Sequence, residues 1–143
     1  MTANKFRNDP LLAVLLKAAG HIPAAKNSLR ALDSGAACDT SLRRRIWRLE
    51  RTLSDSQLLN SDELEELGDI LRTVERWVDA GTYRGWTSDE HCVSGGWFET
   101  VWSPEAEALA GHCARLQACR EAMEQVQVVI EAHKIAGILR GAA

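Results

Sequence analysis

SPEAEALAGHCARLQACREAMEQVQVVIEAHKIAGILR, residues 103–140, decides the fold. Ser103 is a helix N-cap, Pro104 suits the first helical position, and Glu105 and Glu107 favour the positive end of the helix dipole. From there Leu109, His112, Leu116, Cys119, Met123, Val126, Ile130, His133 and Gly137 recur at alternating steps of three and four, a heptad stripe. One helix over this stretch would run roughly 55 Å. A compact body of this chain length is only about 37 Å across. Three outcomes are open: Gly111 breaks the helix, the bundle is elongated, or the overhang packs on a second chain.

Upstream, the same periodicity recurs in shorter pieces. Asn60 and Glu63 make a capping-box pair, and Leu64, Leu67, Leu71, Val74 and Val78 form the stripe of a helix ending before Gly81. Asp39-Thr40 caps another, with Leu42, Ile46, Leu49 and Leu53 on one face. Asp9-Pro10 opens a first helix that stops at Gly20; Pro23 opens a second, closed by Asp33-Ser34-Gly35. Residues 81–102 break the pattern, holding Gly81, Gly85, Gly95, Gly96 and the aromatics Tyr83, Trp86, Trp97, Phe98 and Trp102. Ser94-Gly95-Gly96 can turn the chain, so this segment reads as an aromatic β-hairpin or structured loop, about residues 82–102. The expected fold is predominantly α: a four- to five-helix bundle, one domain over 1–143, with that hairpin before the long C-terminal helix.

Size and composition fit an ordinary globular chain: 143 residues, 45% hydrophobic and 26% charged. No apolar run reaches the roughly 18–20 residues of a membrane span, and the short run Leu11 to Leu16 lacks the flanks of a signal peptide. A cytoplasmic location with four free thiols (Cys38, Cys92, Cys113, Cys119) follows as the expectation. Charge is divided along the chain. Residues 1–53 carry ten Lys/Arg and four acids, net +6; residues 54–143 carry seven and sixteen, net −9. Such asymmetry points to a charged partner at one end.

Arg44, Arg48 and Arg51 fall at i, i+4 and i+7, opposite the Leu42/Ile46/Leu49/Leu53 stripe, with Arg43 and Arg45 beside them and Trp47 nearby. Guanidinium rows meet phosphates or acidic protein surfaces. They can equally pair with the acidic start of the following helix (Asp62, Glu63, Glu65, Glu66, Asp69). The run Ser41 to Glu50 resembles recognition helices of winged-helix regulators over about ten residues, which would imply DNA reading. The link Gly35-Ala36-Ala37-Cys38 is too long for a standard helix-turn-helix, and no family follows.

His91-Cys92 and His112-Cys113, with Cys119 and His133, offer soft metal ligands, but neither pair has zinc-site spacing. The heptad stripe places His112, Cys119 and His133 as core residues instead. Cys92 beside His91 lacks the orienting geometry of a thiol nucleophile. No phosphate-binding glycine loop is present: Val93-Ser94-Gly95-Gly96-Trp97 lacks the lysine.

The sequence reading is therefore a non-enzymatic regulator or inhibitor, of a kind carried by phages or plasmids, with no metal or cofactor. It would bind an acidic protein surface through Arg44, Arg45, Arg48 and Arg51, with Trp86, Trp97, Phe98 and Trp102 as aromatic anchors. The alternative is a dimeric nucleic-acid-binding regulator; a zinc-binding or thiol enzyme comes third. The heptads suggest a homodimer through Leu116, Met123, Val126 and Ile130.

Overall fold

The structure, a computed structural model, describes residues 9–35, 37–87 and 95–142, with 82–87, 97–100 and 142 described at the backbone alone. The fold is predominantly α. In chain order the helices are α1 (Pro10–Gly20), α2 (Ile22–Asp33), α3 (Thr40–Ser54), α4 (Ser61–Ala80) and α5 (Pro104–Ala142). Between α4 and α5 lie β1 (Thr82–Thr87) and β2 (Trp97–Trp102).

The helix starts obey local chemistry. The Asp9 carboxylate accepts from the Leu11 and Leu12 amides, and Asp39 accepts from Leu42 at 2.7 Å. The Asn60/Glu63 capping box closes in both directions, Glu63 N–H to Asn60 Oδ1 at 2.8 Å and Asn60 N–H to Glu63 Oε1 at 3.2 Å. The α1–α2 break falls at His21, because Pro23 in the first turn of α2 lacks the N–H that would continue the ladder. The end of α3 uses an unusual residue: Ser56, at φ 58°, donates to the Leu53 carbonyl while Gln57 donates to Thr52. This is the left-handed cap that glycine usually supplies.

One apolar core joins the five helices. Ala18 of α1, Leu29 and Leu32 of α2, Ile46 and Leu49 of α3, Leu67 and Ile70 of α4, and Leu116 and Met123 of α5 are all buried in it. α5 is the spine: α1, α2 and α4 all pack on it, and α3 packs on α2 and α4. Ion pairs tie the layers, Arg30 to Glu50 (2.6 Å) between α2 and α3, and Arg45 to Glu66 (2.7 Å) between α3 and α4. Arg120 of α5 donates to the Leu64 carbonyl of α4 at 3.0 Å, lying across Gly68, where a β-carbon would come within 3.1 Å of its guanidinium.

Of the three outcomes left open by the helix's length, a break at Gly111 is excluded. The helix is unbroken through Gly111 and runs 39 residues, roughly 58 Å. Residues 131–141 are exposed along its whole circumference, so it overhangs the body.

This corrects the expected homodimer surface. Leu116, Cys119, Met123 and Val126 are buried within the chain's own core, so Leu116, Met123 and Val126 are taken; of that set only Ile130 is exposed. A heptad stripe cannot distinguish packing on a neighbouring helix of the same chain from packing on a second copy.

The two strands pair antiparallel from Thr82↔Trp102 to Thr87↔Trp97, with Trp86 opposite Phe98. At their base the Ser103 N–H donates to the Gly81 carbonyl at 2.9 Å, and the Ser103 hydroxyl caps α5 at the Ala106 amide, 3.2 Å away. Gly81 is required by space, since its φ of −87° suits any residue. A methyl there would sit 2.6 Å from Cβ of buried Ala106. Gly81→Ala is expected to destabilise the fold by about 1–3 kcal/mol. Gly20→Ala, where nothing lies within 4 Å, should be neutral or stabilising. The urea unfolding midpoint should fall for Gly81→Ala and hold or rise for Gly20→Ala.

Candidate functional site

The outer face of α3 gathers the most distinctive chemistry. About 100° of rotation per residue puts Arg44, Trp47, Arg48 and Arg51 on the side opposite Leu42, Ile46, Leu49 and Leu53, and the four line one shallow surface depression. Arg44, Arg48, Arg51 and Trp47 are exposed. Among the described residues none of these three arginines has a hydrogen bond or ion pair, so their guanidinium donors face solvent.

Their neighbours on the same helix are engaged. Arg45 pairs with Glu66 at 2.7 Å and lies 3.8 Å from Asp69. Arg43 pairs with Asp33 at 3.0 Å and reaches the Cys38 carbonyl. Arg45, expected as a partner contact, is engaged with the acidic first half of α4. Intramolecular pairing accounts for Arg43 and Arg45 of the basic helix. Arg45 lies on the flank facing α4, Arg44 lies on the side away from it, and Arg48 and Arg51 stand at the rim between the two.

Trp47 was noticed in the sequence only as a neighbour of the stripe. The structure makes it part of the face. Its indole N–H donates to Asp33 Oδ2 at 3.0 Å, so an exposed ring is held from one edge by the C-terminal residue of α2. An aromatic fixed in this way presents contact area at little further entropic cost. Its position, three residues after Arg44 and four before Arg51, was the available signal.

A second groove runs between α3 and α4, where Arg48 and Arg51 approach Asp62, Glu63 and Glu66. Thr52 Oγ1 donates to Glu63 at its floor. Basic and acidic walls therefore adjoin along the edge of the arginine face.

The aromatic segment is described less fully. The side chains of Trp86, Trp97 and Phe98 lie outside the described residues; Trp102 is half exposed. The hairpin follows the C-terminal end of α4, whereas Arg45 of α3 pairs with Glu66 and Asp69 in its first half. From Asp69 to Ala80 is about 16 Å along the helix axis. The structure thus separates the arginine face and the hairpin along α4.

The histidine and cysteine candidates are accounted for locally where they are described. His112 of α5 accepts at Nδ1 from Arg115 Nη2 (2.7 Å) and contacts the hydroxyl of buried Ser28 of α2 (3.3 Å), which itself accepts from Arg115 Nε (3.0 Å). Nδ1 as an acceptor fixes the neutral tautomer with its proton on Nε2. Burial, and secondarily the Arg115 charge, hold the imidazole below its ordinary pKa of 6.5. Folding therefore favours neutral His112, and the stability it contributes is present above pH 6.5 and lost as pH falls through the lower folded value. The urea midpoint of the parent should drop more steeply below pH 6.5 than that of His112→Gln; parallel profiles would contradict this.

Cys119 is buried beside Met123 Sδ, and burial pushes its thiol up to about 11. Burial likewise raises Cys38 and Cys113. Thiols held protonated in this way are poor nucleophiles. His133 is exposed, and His91 and Cys92 lie outside the described residues. Among the described residues no three His, Cys, Asp or Glu side chains converge as a metal site would require, and no helix is long and apolar enough to cross a membrane.

Comparison with protein-family models, curated proteins and solved structures finds no match.

Proposed function

We propose that this chain is a small non-enzymatic regulator or inhibitor that binds the acidic surface of another protein through the outer face of α3. The observation that carries the reading is the set of three solvent-facing arginines around Trp47, whose ring is held by Asp33. Arginine stays charged at any physiological pH and offers several donors in a fixed fork, so Arg44, Arg48 and Arg51 would orient carboxylates of the partner. Trp47 would supply the apolar anchor that charge alone lacks, with Trp102 at the hairpin base as a further contact. In this reading the acidic flank (Asp62, Glu63, Glu66) rejects partners whose own surface is acidic beyond the contact patch. The setting in which it would act is the cytoplasm.

Duplex DNA is the competing ligand of the same face, because a guanidinium row also fits phosphates. The overall net charge of −3 weighs against it. A fluorescence-anisotropy titration of labelled duplex, repeated from low to moderate salt, separates the two. Absence of binding at low salt, together with a host protein retained by the parent chain and released by Arg44→Glu/Arg48→Glu, supports the protein reading. Salt-sensitive duplex binding lost in that variant would replace it with the nucleic-acid one.

A further inference from the structure

The exposed end of α5 carries its own apolar stripe, on the other side of the helix from the core stripe. Val128 (59% exposed), Ala132, Ile135 (50%) and Leu139 (67%) follow at steps of four, three and four, with Ile138 (70%) on their flank. Val128 lies about 200° around the helix from buried Val126, so the apolar face changes sides where α5 leaves the body. A helical run of this length without packing is marginal in water. The run therefore needs a covering surface.

Its charges indicate which one. Within residues 128–142 the one acid, Glu131, lies toward the body, and Lys134 and Arg140 lie further out. A parallel pairing of two copies would set Glu131 level with Glu131 and Lys134 level with Lys134. An antiparallel pairing does the reverse, bringing the acidic half of one copy alongside the basic half of the other.

We propose that residues 128–142 of two copies of this chain pair antiparallel, about a two-fold axis between His133 and Lys134. In that register Val128 of one copy meets Leu139 of the other, and small Ala132 meets Ile135, each contact occurring twice. Glu131 of each copy falls within one turn of Lys134 of the other on the same flank. A contact of about four turns lies at the small end of specific interfaces, so the dimer is concentration-dependent. The inference is independent of the α3 face.

Sedimentation velocity over a wide concentration range tests it. The parent chain should pass from monomer to dimer. Ile135→Asp combined with Leu139→Asp should remain monomeric and keep the thermal midpoint of the dilute parent, since both positions lie outside the core, while its far-UV helical signal falls by no more than the overhang contributes. Orientation is read by oxidation in a Cys92→Ser, Cys113→Ser background. Chains carrying Val128→Cys mixed with chains carrying Leu139→Cys should form a disulfide-linked heterodimer, whereas Val128→Cys alone should not link to itself.

A strict monomer overturns the proposal, and so does a dimer that survives the double aspartate substitution. Self-linking of Val128→Cys would show a parallel pair and overturn the antiparallel arrangement. A monomer that co-sediments with phosphatidylglycerol vesicles through these residues would assign the face to a membrane surface instead.

Discussion

Leu116→Ala is expected to cost about 2–5 kcal/mol of folding stability, with the upper half of that range reached if the cavity fails to collapse. Leu116 has no solvent exposure and lies on the spine helix among residues drawn from several elements of the core. His112 lies one turn before Leu116 and Arg115 adjoins it, both bonded to Ser28 of α2, so the backbone here is pinned by a polar cluster that resists relaxation. For a chain of this size the loss corresponds to roughly 5–20 °C in thermal midpoint. Ile135→Ala provides the internal contrast. It removes an apolar side chain from the same helix, yet from the overhang, and in dilute solution should shift stability by less than about 0.5 kcal/mol. Thermal or urea unfolding of the two variants distinguishes the position of the core from the position of the heptads. Equal effects would mean that the overhang belongs to the cooperative unit.

Arg44→Glu/Arg48→Glu is expected to abolish partner binding while leaving the fold intact. The double reversal changes the face by four charges and inverts its sign around Trp47. Each long-range attraction becomes a repulsion, which should lower affinity at least about tenfold and slow association most strongly at low salt. The fold should tolerate it because neither side chain has an intramolecular partner among the described residues. Arg45→Glu should behave in the opposite way. It would set an acid against Glu66 and Asp69 and reduce stability, with binding affected only through the loss of folded chain. Calorimetric titration against the captured partner, beside circular dichroism of all three proteins, separates the cases. Full affinity in the double variant would remove the α3 face from the mechanism.

The helices were legible because their ends are chemically marked. Asp9, Asp39, Asn60 and Ser103 each cap the helix their position implies, and Pro10 and Pro104 sit where a missing N–H costs nothing. The hairpin was legible from the aromatic and glycine rhythm of residues 82–102, and its strands pair through that segment. What lay beyond reading was which apolar stripe meets which neighbour. Leu116, Met123 and Val126 have the periodicity of a dimer seam and serve as the chain's own core, while the exposed stripe of α5 begins two residues after Val126 on the opposite side. Periodicity reports that a face is covered and is silent on what covers it.

The arginines were divided for a similar reason. Five consecutive or near-consecutive basic residues look alike in sequence, yet the 100° step sends Arg45 toward α4 and Arg44 away from it. Trp47 lies beside the stripe in sequence, and its indole N–H is held by Asp33, fourteen positions earlier. Contacts across that separation leave no local signature.

The hydrogen bond from Ser103 to Gly81 has a consequence for how this protein could change over time. It brings the entry and exit of the hairpin to adjacent points on the helical frame, so residues 82–102 form an excursion with joined ends. Lengthening such an excursion adds only slowly to the closure cost, about 0.6 kcal/mol for each doubling. The frame can therefore accept longer, shorter or wholly different inserts at this seam without repacking its helices. The seam is a natural graft point, at which a new specificity could be installed on an unchanged scaffold.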